Sequence, residues 1–221
     1  MAGSLRDAIA VLHLAPIQPP RGADRFGALV ALAAASGRGE RLASALDAEG
    51  LLAPDALATA ALEEVVDSLR DARIEAAPKL VRLIQRLAGW YRDHRDDLEF
   101  EPGPGEDRPA FPHDDLRAIN GVGRATADAI ALCVFGEPVY PVDRASYRIM
   151  VRHGWIDPTA DYDEASQAMV AAADGDAGIL SALADAFEEI GRRYCKATGP
   201  RCERCPLRSL LPEGGPIEPD V

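Results

Sequence analysis

The sequence predicts an all-α protein. Apolar residues recur at three- and four-residue steps through five successive stretches. No run shows the strict alternation of a half-buried strand. Aromatic residues make up only 5% of the chain while Ala and Leu are abundant, a composition suited to helices packed closely on one another. With 221 residues the chain has material for one large or two small domains and an ample core.

The amphipathic stretches are Leu5–Leu14, Phe26–Ala35, Arg41–Leu46, Leu57–Leu69 and Leu80–Tyr91. Thr59, ahead of Ala60-Ala61-Leu62-Glu63, reads as a helix start with an acidic first turn. Pro54 and Pro78 fit first-turn positions, where a missing N–H removes no helical hydrogen bond. Glu101-Pro-Gly-Pro-Gly-Glu-Asp-Arg-Pro109 can neither continue a helix nor enter a sheet interior, so it reads as a surface linker. Beyond it come two helices joined by a Gly-rich turn, a helix beginning after Asp143, and helices over Tyr162–Ala172 and Ile179–Tyr194. A Gly/Pro-rich tail starts at Pro212. No apolar run reaches the roughly 20 residues of a membrane span, and Leu5–Leu14 is short and interrupted by Arg6 and Asp7. A soluble, cytoplasmic monomer that makes no membrane contact is expected.

The most informative stretch is Leu116-Arg-Ala-Ile-Asn-Gly-Val-Gly-Arg-Ala-Thr-Ala-Asp-Ala-Ile130, followed by Tyr140-Pro-Val-Asp143. Gly121 and Gly123 flank one apolar residue, Val122, so the chain can turn tightly with positive backbone angles and bare its N–H groups. Arg124 then opens a helix whose positive end suits a phosphate. Asn120, Gly121, Val122, Gly123, Arg124 and Thr126 are the candidate DNA-backbone residues, with Arg144 beyond them. Such contacts position a protein on a strand without reading its bases. An ordinary turn between packed helices is the alternative.

A net charge of −12 opposes nucleic-acid binding as a whole-chain average, since phosphate neutralisation dominates that affinity. Distribution matters more than the sum. The N-terminal portion and the stretch Glu99–Asp115 are acid-rich. Arg144, Arg148 and Arg152 recur at helical spacing, and Arg192, Arg193, Lys196, Arg201, Arg204 and Arg208 gather near three cysteines. A local basic face is expected there, unless these arginines pair with Glu188, Glu189 and Glu203.

The turn, the aspartate and the cysteines together resemble the helix-hairpin-helix DNA glycosylases, the superfamily that includes endonuclease III. In that family the hairpin reads Leu-Pro-Gly-Val-Gly-Arg-Lys-Thr-Ala, and a Val-Asp pair follows eighteen residues after the Lys position. Here that position is Ala125 and eighteen residues later stands Asp143, preceded by the similar Phe135-Gly136 pair. The resemblance runs from about Leu5 to Leu211 and is specific from Leu116 onward. It implies one lobe of residues 25–142, a second of 1–24 with 143–221, and a cleft between them. Its implied partner is double-stranded DNA carrying a damaged or mispaired base.

Cleaving a base from deoxyribose develops oxocarbenium-like charge, which a nearby carboxylate stabilises while orienting water. Asp143 is the candidate catalytic residue; a helix cap is its other reading, and both roles can coexist. Family members that also nick the strand use a lysine amine at the position held here by Ala125. The chain has only two lysines, Lys79 and Lys196, and neither lies at a matching position. A monofunctional glycosylase, one that leaves an abasic site without cutting the strand, is therefore expected.

Base flipping leaves a vacancy that a wedge side chain fills. The family's Gln-bearing segment corresponds to Leu32-Ala-Ala-Ala-Ser-Gly-Arg38, which has no glutamine and offers Arg38 instead. Val142-Asp143-Arg-Ala-Ser-Tyr-Arg-Ile149 and Asp161-Tyr-Asp-Glu164 look more like the 3-methyladenine glycosylase branch, whose cationic alkylated bases leave with little acid assistance. That branch stacks the base on tryptophans ahead of the early helix, and Pro16-Ile-Gln-Pro-Pro-Arg-Gly22 has none. Trp90, Tyr91, Tyr147 and Trp155 read as core.

Cys195, Cys202 and Cys205 match the first three ligands of the family's [4Fe-4S] loop in order and spacing, while the fourth position is Leu211. A cytosolic cysteine cluster favours metal over disulfide. An iron-sulfur cluster with a non-cysteine fourth ligand or an open iron, a zinc site lacking one ligand, and a loop without metal are the readings available. Cys133, within Ala129–Phe135, reads as core. Two functions follow: a base-excision glycosylase using Asp143, or a diverged DNA-binding protein that holds damaged or distorted DNA.

Overall fold

The structure, a computed structural model, describes residues 3–22, 24–34, 38–101, 103 and 105–218. Every regular element among them is helical, as the periodicity predicts: α1 Leu5–Val11, α2 Asp24–Ala33, α3 Gly39–Ala48, α4 Pro54–Thr59, α5 Leu62–Asp71, α6 Pro78–Asp93, α7 Arg95–Leu98, α8 His113–Ala118, α9 Arg124–Phe135, α10 Arg144–Arg152, α11 Tyr162–Ala172 and α12 Ala177–Arg193. Short 3-10 turns follow at Cys202–Arg204 and Arg208–Leu210.

The expected single helix over Leu57–Leu69 is two helices. Ala60 and Ala61 are extended (ψ 146° and 141°), which ends α4 and starts α5. Thr59 is therefore not a helix start. It closes α4, its Oγ1 donating to the Asp55 carbonyl at 2.8 Å. The Gln85 side chain, from α6, donates to the Ala60 carbonyl at 2.8 Å and so satisfies a backbone acceptor freed at the break. Pro54 and Pro78 occupy first-turn positions as expected.

The chain divides into two compact units, Pro19–Phe135 and Met1–Gln18 with Gly136–Val221. In the first, α6 packs against α2, α4, α5 and α8. Val81, Ile84 and Leu87 of α6 join Leu29, Leu46, Leu57 and Leu69 in a continuous core. Phe26 meets Tyr91 edge-on at 5.3 Å between ring centroids, and Phe111 meets Phe135 at 5.2 Å. Trp90 and Tyr91 are thus core residues, as the sequence suggests. Removing a buried Leu or Ile side chain here to Ala would cost about 2–5 kcal/mol.

In the second unit α10 lies against α12 and α1 against α11. A Cβ on Gly191 would collide with the Cβ of Ala145, so the α10–α12 approach requires glycine. Ser4, Asp143 and Asp161 each begin a helix with a complete capping box, and Asp176 caps α12 through Ile179 N–H. Trp155 donates to the Gly3 carbonyl at 2.6 Å and stacks between His153 and Phe187. No helix among the described residues is long and apolar enough to cross a membrane.

Candidate nucleic-acid interface and carboxylate

The hairpin between α8 and α9 is anchored from both sides. Leu116 and Val122 are buried in the core of the first unit, while Asn120, Gly121 and Gly123 are exposed. Val122 N–H donates to the Ile119 carbonyl at 2.9 Å and closes the turn. Of the two glycines only Gly121 has the left-handed backbone expected of both, with φ +102°. Gly123 has an ordinary backbone, and a Cβ there would meet nothing within 4 Å. Its absent side chain leaves open approach instead of a special angle.

The first-turn amides of α9 have no partner within the helix, and a helix start of this kind favours an anion at the hairpin. Thr126 is half-buried in that turn, and Arg124 is partly exposed at its start. Arg86, from α6, donates to the Asn120 carbonyl at 2.6 Å and braces the turn from below. His113 Nε2 stands 2.8 Å from the buried Asp128 carboxylate and links α8 to α9. Neither brace is signalled by local sequence, because each joins residues fifteen or more positions apart.

Asp143 caps α10. Its Oδ1 accepts from Ser146 N–H at 2.6 Å and from Ser146 Oγ at 2.7 Å, and its own N–H donates to Ser146 Oγ at 2.9 Å. Both cap bonds use Oδ1, and Oδ2 receives none from a described residue. The side chain is exposed, so the cap holds the carboxylate in one orientation with an oxygen to spare. Arg144 follows at the first helical position, also exposed. Arg38 is exposed beside α3, and Ala35, Ser36 and Gly37 of the wedge segment lie outside the described residues.

The expected basic face near the cysteines is corrected in part. Arg148 and Arg152 turn inward: Arg148 Nε donates to the Cys195 carbonyl at 2.8 Å, and Arg152 donates to the Lys196 carbonyl at 2.7 Å and to Glu218 at 2.9 Å. Arg192 and Arg193 both pair with Glu189. Lys196, Arg201, Arg204 and Arg208 remain exposed on the loop. Helical spacing exposed these arginines as a row but not the carbonyls waiting behind them.

Cys195, Cys202 and Cys205 line one small cavity together with Leu211, Arg152 and Pro216. Its volume is about 10 Å³, room for about one water. Arg152 reaches Cys195 Sγ at 3.5 Å. Burial pushes the Cys202 and Cys205 thiols up. Among the described residues no three His, Cys, Asp or Glu side chains are grouped to hold a metal ion. Three thiols without a fourth donor at Leu211, closed over one water-sized space beside a guanidinium, do not fit a four-thiolate cluster. Cys133 is half-buried on α9, a position consistent with packing.

No family model matches the chain. Among curated proteins it resembles endonuclease III of Bacillus subtilis, 35% identical over 104 residues, covering 46% of this chain and 45% of that protein. It also resembles endonuclease III of Thermotoga maritima, 28% identical over 159 residues, covering 71% and 66%. The chain therefore matches between about half and two thirds of these relatives' own length. In fold it is similar to a solved endonuclease III–DNA complex, with TM-score 0.64, 23% identity and coverage of 95% and 92%. A thermostable thymine-DNA glycosylase matches with TM-score 0.59, 14% identity and coverage of 93% and 94%. With the hairpin, the spaced aspartate and the all-helical fold in place, the chain resembles in sequence and in fold the helix-hairpin-helix DNA glycosylase superfamily that includes endonuclease III.

Proposed function

We propose that the chain is a DNA N-glycosylase that hydrolyses the bond between a damaged base and its deoxyribose and leaves an abasic site. The observation that carries the proposal is Asp143, placed eighteen residues after the hairpin's Ala125 and fixed as the α10 cap through Oδ1 alone. Hydrolysis follows from the residues at hand. The hairpin amides hold a backbone phosphate, the target nucleotide leaves the stack, and the Asp143 carboxylate stabilises the oxocarbenium-like sugar as the base departs. The same carboxylate orients the water that attacks the anomeric carbon, and accepts its proton.

Ala125 has no amine, so no Schiff base forms at that position and β-elimination is not driven from there. A site with one carboxylate and no lysine at the hairpin position suits a base that leaves with little acid assistance, so cationic alkylated purines are the first substrate class. The resemblance of the curated relatives to the chain supports base excision as the setting. No step involves an iron-sulfur cluster.

The test is base release from duplexes carrying alkylated, deaminated, oxidised or mismatched bases, with and without alkali after incubation. Strand breaks that appear only after alkali support the proposal and name the lesion class. Breaks without alkali would overturn the monofunctional mechanism. Binding without release from any substrate would replace the enzyme with a diverged DNA-binding protein.

A further inference from the structure

We infer that the first unit carries a continuous basic track, separate from the hairpin amides, that holds a sugar-phosphate backbone. Between positions 38 and 86 the sequence has seven basic and nine acidic side chains, with no pattern visible in the linear order. In the fold they separate. An open groove of about 700 Å³ is lined by Arg38, Arg70 and Arg73. A smaller one of about 300 Å³ beside it shares Arg38 and Arg73 and adds Arg41. A third, of about 440 Å³, is lined by Lys79, Arg82 and Arg86 and ends at Asn120 and Gly121 of the hairpin. Ala77 lines both the first and the third, so the grooves adjoin there.

All seven basic residues of the segment therefore face this track, and of the nine acidic ones only Glu75 does. All seven are exposed. Arg70 pairs with Asp67, and Arg86 holds the Asn120 carbonyl. Arg38, Arg41, Arg73, Lys79 and Arg82 pair with no described carboxylate. On a chain of net charge −12, a one-sided collection of unpaired cations is a local inversion of sign that a polyanion would satisfy.

Arg73 adds an independent observation. It sits at φ +57° at the end of α5, where Arg73 N–H donates to the Arg70 carbonyl and Ile74 N–H to the Leu69 carbonyl. That helix ending ordinarily takes glycine, the residue free of a side-chain penalty at positive φ. His13 and Asp174 take the same ending after α1 and α11, and at Arg73 it sets the side chain where the two grooves lined by Arg38 meet. The spacing along α6 agrees: Lys79, Arg82 and Arg86 recur at helical steps and place three cations along one face leading to Gly121. A backbone strand, with its regular phosphates, fits this linear array better than a compact anion.

The inference deepens the DNA-binding half of the proposed function and rests on it only for the choice of DNA as probe. The experiment is titration of undamaged duplex and single-stranded oligonucleotides by fluorescence anisotropy across salt concentrations. Arg38→Gln/Arg73→Gln and Lys79→Gln/Arg82→Gln are compared with the parent and with Arg192→Gln/Arg193→Gln, whose arginines pair with Glu189 outside the track. Each track variant is expected to bind more weakly on every sequence, with the slope of log affinity against log salt shallower by about two, since each phosphate contact contributes about 0.9 for duplex and about 0.7 for single strands. The control is expected to keep the parent slope. Unchanged slopes in both track variants, or an equal change in the control, would overturn the track. Base release with normal slopes would leave the glycosylase standing without the track, and shallower slopes without base release would do the reverse.

Discussion

Threonine introduced at each of the two hairpin glycines in turn should produce opposite effects. At Gly121 the backbone is held at φ +102°, a region that a β-branched residue adopts only under strain. Its Cβ would also stand 3.3 Å from Leu83 Cδ1, which must yield by a few tenths of an ångström. Positive-φ strain of this kind costs about 1–3 kcal/mol, and for a chain of this size that lowers Tm by roughly 2–12 °C. At Gly123 the backbone is ordinary and nothing lies within 4 Å of a Cβ, while the position directly precedes α9, where a threonine hydroxyl can cap. Gly123→Thr is therefore expected to keep the parent's stability within about 0.5 kcal/mol. Because its side chain would stand where a phosphate meets the hairpin amides, it is expected to weaken DNA binding on all sequences alike. Thermal melts and anisotropy on the same two variants separate the effects. A Gly121→Thr protein that melts with the parent, or a Gly123→Thr protein that loses equal stability, would refute the account of this turn.

His153 sets a pH dependence. It is buried against Trp155, its Nδ1 has no hydrogen-bond partner, and desolvation holds its pKa below the ordinary 6.5 despite a backbone contact to Leu210 that acts the other way. Above about pH 6.5 the ring is neutral folded or unfolded and its contribution is intact. As pH falls below that, the unfolded chain takes the proton first, so stability drops until the folded pKa is passed. Urea unfolding from pH 7.5 to 5 should show this loss, and His153→Phe should flatten it; an unchanged slope would contradict the assignment. Arg152 is nearly buried and holds two loop carbonyls, Cys195 Sγ and Glu218, so Arg152→Met should cost about 1–3 kcal/mol in urea unfolding, chiefly from the carbonyls left without a donor. Glu218 is 57% exposed, so Glu218→Gln should cost less than about 1 kcal/mol, and equal losses would refute that ranking. Reconstitution with ferrous iron and sulfide should give no stoichiometric four-thiolate chromophore, and a stable one would contradict the reading of the cysteine cavity.

Local chemistry made much of this molecule legible. The helix-forming stretches, the proline starts and the Asp143 cap follow from periodicity and from rules that act within four residues. The break at Ala60 escaped because alanine carries no local stop signal; the Gln85 bond to the Ala60 carbonyl, which supports the break, comes from another helix. The sequence exposed Arg144, Arg148 and Arg152 as one row, yet two of them turn toward carbonyls of the cysteine loop. Conversely, the cations from Arg38 to Arg86 are diluted by acids along the chain, and only the packing of α3, α5 and α6 sorts them onto one side. Charge sums read along a sequence average over faces that the fold keeps apart.

The most direct test of the central claim is base release by Asp143→Asn, measured on whichever lesion the parent processes. Asparagine keeps an oxygen acceptor for the Ser146 cap, so α10 and the hairpin should remain as they are and DNA affinity should stay at the parent value. The account predicts that base release falls by at least two orders of magnitude, the scale of a lost acid-base group. Release at the parent rate by a folded, DNA-bound Asp143→Asn protein would show that the carboxylate is only a helix cap.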